Sequence, residues 1–358
     1  MFGLLALSVV LLAGCGKSET PEPAPKAEAP KAASLQRAKA LFDVLPERME
    51  ADGREITDAK VALGRVLYSD PRFSKNHDVA CATCHALDHF GVDPRPEAIE
   101  KGTSPGHGNQ FGGRNSPTSF NAGLQIAQFW DGRAADLEEQ AKGPVLNPVE
   151  MAMPDATTVV TVIKTIPGYA PMFADAFPGE ADPITYENMA AAIGAFERLL
   201  VTPGPFDTFL SGDSDALSAE AQQGMVQFLD SGCASCHMGP ALGGTMYQKL
   251  GLVQAYETQD TGRFEATGNE ADKYFFKVPT LRNIAETGPY FHNGSIKTLD
   301  DAIRVMAKHQ TPGGELSGAE VASIEAFLES LTGVPPAELV AAPTLPESGP
   351  DTPAPDPR

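Results

Sequence analysis

The chain has 358 residues, which is enough for two domains that each bury a hydrophobic core. Its 27 basic and 47 acidic side chains give a formal net charge of −20, which argues against nucleic acid or an anionic membrane surface as a partner. The same charge favours a basic docking partner, although an acidic surface also simply keeps a protein soluble.

An apolar segment comes first. Residues 2–14 are almost all apolar or small and are too few to span a bilayer, which is typical of the hydrophobic part of a signal peptide. The segment ends in Leu12-Ala13-Gly14-Cys15, which resembles a bacterial lipoprotein cleavage site. We predict a signal peptide over residues 1–15, export to the periplasm and a lipid anchor on Cys15. Since no basic residue precedes Cys15, a soluble exported protein with an incidental cysteine stays open.

Two segments have compositions that disfavour a packed core. Residues 16–34 are rich in Pro, Ala, Glu and Lys, and residues 334–358 are rich in proline. Such segments bury too little apolar surface to offset the entropy lost on ordering. We predict a disordered tether and a disordered tail on either side of an ordered region, residues 35–333.

Two Cys-x-x-Cys-His units lie within that region, and their residues are Cys81, Cys84 and His85, then Cys233, Cys236 and His237. Two thiols at this spacing can add to the vinyl groups of one porphyrin, and the adjacent histidine then reaches the iron from one face. One unit alone would also suit a dithiol, a disulfide or half of a zinc site. Two complete units in a chain with one other cysteine predict two covalently bound haem c groups.

Each haem iron would also have a sixth coordination position. Met306 lies on a predicted amphipathic helix within reach of the second haem, but a methionine on an apolar helix face is equally suited to core packing. His107 lies in a loop where Gly106 and Gly108 give the backbone freedom to swing. A loop histidine is commonly solvated, yet a ligand that can leave would open an iron to peroxide.

A weak internal repeat supports one haem per domain. Gly64–Tyr68 precedes the first unit and Gly224–Phe228 the second, each near the end of a helical pattern. The Pro-Gly-Pro run of residues 203–205 indicates a break, so we predict domains over residues 35–204 and 205–333.

The remaining patterns are helical. Thr185 is a predicted cap for an apolar stripe over residues 185–200, Thr298 begins the helix that carries Met306, and Ser317 and Glu320 form a capping box. Alternating strand patterns are scarce, and the Gly-rich residues 102–123 predict a long loop ordered around a cofactor. The expected fold class is mainly α, with two cytochrome c-like haem domains, long ordered loops and little β structure.

Five stretches resemble bacterial dihaem cytochrome c peroxidases, namely residues 107–118, 128–134, 140–144, 147–151 and 288–295. The resemblance spans about residues 40–332, with both haem motifs in the family's order. It implies a first, peroxidatic domain and a second, electron-transferring domain. It also implies reduction of hydrogen peroxide to water with electrons from a small periplasmic cytochrome c or blue-copper protein, and a homodimer.

The resemblance also implies roles for single residues. His107 is the expected distal ligand of the peroxidatic haem and Met306 that of the other haem, with His85 and His237 on the proximal sides. The expected catalytic residues are Glu150 as the proton carrier, Gln140 beside it, and Trp130 between the haems. One calcium ion is expected on Asn115, Thr287 and Pro289.

Two other functions remain open on the sequence. One is a dihaem oxygenase that modifies a partner protein, in which a tyrosine would replace Met306. The other is a dihaem electron carrier, which would have no use for Gln140 and Glu150. His77, His89 and His309 are expected at the surface, and His292 has no assigned task.

Overall fold

The computed structural model describes residues 28–358, with side chains from residue 33 onward. The predicted signal peptide, the predicted anchor Cys15 and most of the predicted tether lie outside these residues. Within them, no helix is both long enough and apolar enough to cross a membrane.

The fold is mainly α, as the sequence predicts. The helices are α1 Glu28–Lys39, α2 Asp58–Ser69, α3 Cys81–Cys84, α4 Pro96–Lys101, α5 Leu137–Leu146, α6 Ala156–Lys164, α7 Tyr169–Ala176, α8 Tyr186–Glu197, α9 Pro205–Ser211, α10 Ala219–Asp230, α11 Phe264–Thr267, α12 Leu299–Gln310, α13 Gly318–Glu329 and α14 Ala337–Val340. Two short strands, β1 Tyr247–Lys249 and β2 Phe275–Lys277, pair antiparallel with Tyr247 opposite Lys277. Long loops connect the helices around both cysteine motifs.

The predicted helix starts are confirmed. Thr185 and Thr298 cap α8 and α12 by accepting a backbone N–H three residues ahead. Ser317 and Glu320 form the predicted capping box at the start of α13. These caps satisfy backbone donors that a helix leaves free in its first turn, which is why the local sequence locates them correctly.

The internal repeat marks two equivalent helix crossings. In the first domain α2 crosses α8 at Gly64, where a Cβ atom would lie 1.9 Å from the carbonyl oxygen of Ala192. In the second domain α10 crosses α13 at Gly224, where a Cβ atom would lie 1.7 Å from the carbonyl oxygen of Ser323. Each glycine therefore permits a backbone contact that any side chain would block.

An aromatic pair lies one turn past each crossing. Tyr68 meets Phe196 and Phe228 meets Phe327, both edge-on with ring centroids 5.4 Å apart. The two domains thus share one architecture, with a core of its own in each.

The two ends of the described chain pack on the opposite domains. Ala38 and Phe42, at and just after the end of α1, are buried in the core of the second domain. The start of the predicted first domain, residues 35–44, thus adds to the second core. Sequence order does not reveal this exchange, because the contacts join residues far apart in the chain.

The tail differs from the predicted disorder. In residues 334–358, Leu339, Val340 and Leu345 pack against the first core, and Pro346 lies against Gly168. The backbone N–H of Asp356 donates to the carbonyl oxygen of Lys75 at 2.9 Å. Composition predicted disorder because the tail has few apolar residues. These residues nevertheless pack against the surface of the folded first domain.

Polar contacts hold the two domains together. Arg114 of the first domain binds Asp260 through two nitrogens, both at 2.7 Å, and also binds Asp131 and Glu265. A paired guanidinium of this kind fixes orientation as well as distance. The interface therefore places the two cysteine motifs at a defined separation.

Candidate active site

The first Cys-x-x-Cys-His unit is oriented by backbone contacts. The short helix α3 brings Cys81 and Cys84 to one side, and Nδ1 of His85 lies 3.3 Å from the carbonyl oxygen of Gly91. A hydrogen bond at Nδ1 fixes the ring and leaves Nε2 available to a metal. Tyr68 donates to the carbonyl oxygen of His85 at 2.9 Å and so ties the unit to the helix crossing.

The second unit repeats this arrangement. Cys233 begins a single turn directly after α10, and Nδ1 of His237 lies 3.1 Å from the carbonyl oxygen of Leu242. Burial lowers the pKa of His237 to about 4 and also lowers the pKa of His85. Both rings are therefore neutral at physiological pH, which is the form that binds a metal.

No disulfide joins the four cysteines of the described residues. Burial raises the pKa of Cys81 to about 12 and those of Cys84 and Cys233 to about 11. Among the described residues, no group of three or more His, Cys, Asp or Glu side chains is arranged to hold a metal ion, and a structural zinc site takes four ligands. The geometry instead suits attachment of both thiols of each unit to one porphyrin.

Each unit lines a cavity. The first cavity, of about 730 Å³, is bounded by Cys81, Cys84 and His85. The second, of about 210 Å³, is bounded by Cys233, Cys236 and His237 and is lined mainly by apolar side chains. Cofactor sites are typically concave, mostly apolar and of this order of size.

A buried carboxyl oxygen tests whether the first cavity fits a cofactor. Oε2 of Glu197 is buried without a hydrogen-bond partner among the described residues, although Glu197 lines the cavity. A buried unsatisfied polar atom costs roughly 1–3 kcal/mol unless an occupant bonds to it. Together with the attachment cysteines and the oriented histidine, this atom makes the first cavity fit a haem. The second motif and its cavity have the same attachment geometry.

Trp130 lies in the wall that the two cavities share, because it lines both. Its indole Nε1 donates to the carbonyl oxygen of Asn115 at 2.9 Å, and its own carbonyl oxygen accepts the N–H of Lys277 at 2.8 Å. These two bonds hold the tryptophan across the domain interface.

Two predicted catalytic residues line the first cavity, and neither lines the second. Gln140 comes from α5, and Glu150 comes from the loop after that helix. The Glu150 carboxylate accepts a hydrogen bond from the Asn147 amide at 2.8 Å. Burial raises the pKa of Glu150 above its usual value, against the opposing effects of Arg133 and Asn147. A carboxyl group with a raised pKa is suited to proton transfer near neutral pH.

His107 lies beside this pair without lining the cavity. Its backbone N–H donates to the carbonyl oxygen of Glu150 at 2.7 Å, and neighbouring Gly106 does line the cavity. The ring is buried, and its Nδ1 has no hydrogen-bond partner among the described residues. Gly108, with φ of 63°, gives the loop a left-handed turn that favours glycine.

Met306 of α12 lines the second cavity, together with His237. The three predicted calcium residues, Asn115, Thr287 and Pro289, line the same cavity. The Asn115 amide nitrogen lies 2.6 Å from the carbonyl oxygen of Pro289. Turning that amide over would present its oxygen at the same place.

Sequence reasoning missed two buried ionisable residues. Glu197 lines the first cavity, four residues after Ile193 on one stripe of α8. Lys277 lines the second cavity and hydrogen-bonds the Gln125 side chain. Burial lowers the pKa of Lys277 to about 7. The signal in each case was an ionisable residue within an otherwise apolar pattern. Burying such a side chain costs free energy, so its presence there indicates a functional role.

His292 is also more embedded than the sequence indicated. Its ring stacks on Phe276 with centroids 4.4 Å apart, and its Nε2 lies 3.2 Å from the hydroxyl of Thr258. Its carbonyl oxygen accepts the N–H of Asn115 at 2.7 Å. It therefore supports the domain interface next to Trp130.

Two helical domains, each with an oriented Cys-x-x-Cys-His unit beside a cavity, define a dihaem c-type cytochrome. The family model of di-haem cytochrome c peroxidases matches residues 58–215. The cytochrome c551 peroxidase of Pseudomonas aeruginosa is 45% identical over 326 residues, which cover 89% of this chain and 91% of that protein. This chain belongs to the bacterial dihaem cytochrome c peroxidase family.

Further relatives agree with this placement. The cytochrome c551 peroxidase of Nitrosomonas europaea is 45% identical over 294 residues, covering 81% of this chain and 84% of that protein. Among solved structures, a MauG-like protein associated with microbial copper homeostasis superimposes with a TM-score of 0.72 at 26% identity. The match covers 84% of this chain and 95% of that one. The predicted family and fold class are confirmed.

Proposed function

We propose that this protein is a cytochrome c peroxidase that reduces hydrogen peroxide to water with electrons from a small cytochrome. The main support is the asymmetry between its two motif-bearing cavities. Both carry attachment cysteines and an oriented histidine, but Gln140 and Glu150 line only the first. The first cavity is therefore the site of chemistry, and the second is the site of electron entry.

When bound, the two haems supply an iron that binds peroxide and the store for the two electrons that the reaction needs. Glu150 would take a proton from one oxygen of hydrogen peroxide and return it to the other oxygen, which leaves as water. Its pKa is raised by burial, so the carboxyl group holds a proton more readily than an exposed glutamate does, which suits a group that must take up a proton and give it back. The Asn147 amide keeps the carboxyl group oriented through this exchange.

Gln140 orients peroxide in the first cavity. Its side-chain amide offers both a donor and an acceptor, and the helix α5 that carries it also leads to the Glu150 loop. A neutral amide can hold a neutral peroxide without competing with Glu150 for the proton. This division of tasks explains why an amide and a carboxyl group line the same cavity.

His107 would hold the first haem as a removable ligand once its loop brings the ring into the cavity. The backbone N–H of His107 donates a hydrogen bond to the carbonyl oxygen of Glu150. A movement of the His107 loop would therefore also move Glu150. The glycines on either side provide the backbone freedom that such a movement requires. Loss of the ligand and placement of Glu150 would thus occur together.

Met306 and Trp130 serve electron transfer. A thioether ligand stabilises ferrous iron, so the second haem would accept electrons readily from a donor. Trp130 occupies the wall between the cavities and is held by bonds to both domains. Met306 in the second cavity also disfavours the oxygenase, and the Glu150 site disfavours a simple electron carrier.

One calcium ion at the domain interface completes the proposal. Asn115 and Pro289 are already in contact, and Thr287 lines the same cavity. Calcium binds such amide and carbonyl oxygens, with water filling the remaining positions. An ion here would stiffen the segment between Asn115 and Trp130, because the indole is bonded to the Asn115 carbonyl.

The remaining proposals concern the protein's surroundings. The apolar segment before Cys15 supports export to the periplasm and a lipid anchor. The net charge of −20 supports a basic donor, either a small cytochrome c or a blue-copper protein. A homodimer is the assembly that the family resemblance implies.

The decisive test replaces Glu150 with glutamine in the haem-loaded protein. We expect peroxide turnover with a reduced small cytochrome c to fall by about 10²–10⁴-fold, because a glutamine cannot relay the proton. Both haems should keep their absorbance, which separates lost chemistry from lost cofactor. Turnover of the variant near the wild-type rate would contradict the assignment of Glu150. Absence of turnover in the wild type, tried from the oxidised and the half-reduced states, would overturn the peroxidase.

A further inference from the structure

A second buried acid lines the first cavity and has no part in the steps above. Glu197 is the last residue of α8, and only 6% of its surface is exposed. It lines the cavity with Ile193, one helical turn earlier. Its Oε2 has no hydrogen-bond partner among the described residues. Glu197 therefore lies beside whatever fills the cavity, with one carboxyl oxygen left without a protein partner among the described residues.

The nearby cation does not neutralise this acid. Arg198 follows Glu197 in sequence, but its guanidinium binds both carboxylate oxygens of Glu138, at 2.7 and 3.1 Å. Arg54 also contacts Glu138, at 3.6 Å. The positive charge around Glu197 is therefore already committed to another carboxylate.

Within residues 33–358, the other elements around Glu197 add no free cation beside it. From α2 and α3 the facing ionisable groups are Tyr68 and Cys81, neither of which is charged at neutral pH. Across the cavity wall, Glu150 is a second acid and Arg133 an exposed base. Burial, together with the nearby Glu138, raises the pKa of Glu197 to about 8. Without haem the carboxyl group is thus neutral near pH 7, whereas the positive charge of ferric iron nearby would lower that pKa and favour the carboxylate.

We propose that Glu197 couples proton uptake to reduction of the haem attached at Cys81 and Cys84. In the coupled step one electron, which the donor protein would deliver through the second haem, would reduce the first haem. One proton from solvent simultaneously converts the Glu197 carboxylate to the carboxylic acid. The net charge of the site is then the same before and after reduction. This lowers the electrostatic free-energy cost of adding an electron in a low-dielectric environment.

The physical basis is reciprocal linkage. Ferric iron stabilises the nearby carboxylate and ferrous iron stabilises the neutral acid, so reduction raises the proton affinity of Glu197. By the same linkage, protonation of Glu197 makes the haem easier to reduce. Peroxide reduction consumes protons, and Glu197 would bring one into the cavity together with an electron. This inference requires haem in the first cavity but does not require peroxide chemistry.

The test is a spectroelectrochemical titration of the holoprotein at several pH values between about 5 and 9, a range that spans the usual and the raised acid pKa. We expect the midpoint potential of the first haem to fall as pH rises in the wild type. The Glu197→Gln variant should lose most of that dependence while keeping both haems. Glu150→Gln is the matched control, because it removes the other acid of the same cavity and should keep the dependence.

The opposite pattern would overturn the inference. A dependence that survives Glu197→Gln and disappears in Glu150→Gln would assign the coupling to Glu150. If Glu197→Gln does not fold, infrared difference spectra of the wild type decide the question. Reduction should produce a protonated-carboxyl band that shifts in D₂O, and absence of any such band would sink the idea. Peroxide turnover is measured separately, so failure of the peroxidase and failure of the coupling remain distinguishable.

Discussion

Gly64 allows the closest helix contact in the first domain, and Gly64→Ala should break it. A Cβ atom there would lie 1.9 Å from the Ala192 carbonyl oxygen and 2.9 Å from the Cβ of Phe196. Non-bonded heavy atoms prefer separations of about 3.5 Å, so α2 and α8 would have to separate by more than about 1 Å. The blocking atom belongs to the backbone and cannot rotate away.

The expected cost follows from two opposing effects. Overpacking a core typically costs about 1–3 kcal/mol, and a rigid obstacle places this site at the upper end. Alanine in place of glycine in a helix interior returns about 1 kcal/mol. The net loss should be about 2 kcal/mol, or roughly 4–8 °C in Tm for a domain of this size.

Thermal unfolding of the holoprotein, followed by haem absorbance, measures this loss. Gly224→Ala should show a similar loss in the second domain, because its Cβ would lie 1.7 Å from the Ser323 carbonyl oxygen. Gly318→Ala is the control, since no atom lies within 4 Å of a Cβ at that position. If Gly64→Ala and Gly318→Ala unfold at the same temperature, the crossing is not the tight contact described here.

Three further predictions concern the tail, calcium and pH. Deleting residues 335–358 should lower the stability of the first domain by about 2 kcal/mol. The reason is that the partly buried side chains of Leu339, Val340 and Leu345 would lose their contacts with the first core. An unchanged Tm would contradict that packing. Asn115→Ala should weaken calcium binding by roughly tenfold or more by calorimetry, and equal affinity would remove Asn115 from the site. Glu197 has a raised pKa of about 8, so the stability associated with it is complete below its unfolded pKa of about 4.3 and is lost as pH rises through 8. In urea unfolding, the free energy of unfolding of Glu197→Gln should therefore increase relative to that of the wild type as pH rises across this window. A difference between the two that does not change with pH would argue against ionisation of Glu197.

Much of the protein is readable without its structure. The two Cys-x-x-Cys-His units predict the cofactor, because thioether attachment and axial ligation need five consecutive residues and nothing else. The caps at Thr185, Thr298 and Ser317 are equally local, since each satisfies a donor three residues away. The internal repeat included the glycine of each helix crossing, Gly64 and Gly224, but it did not reveal that each glycine permits close backbone contact with another helix.

Tertiary structure decided what depends on distant partners. The sequence by itself determined a mainly α, two-domain chain with a haem motif in each domain. Only the folded molecule showed that the ends of the described chain pack on opposite domains, that Trp130 lines both cavities, and that Glu197 lines the first of them. The physical reason is that burial and missing partners are properties of a packed neighbourhood. Composition and spacing report what a residue can do, whereas packing determines what surrounds it.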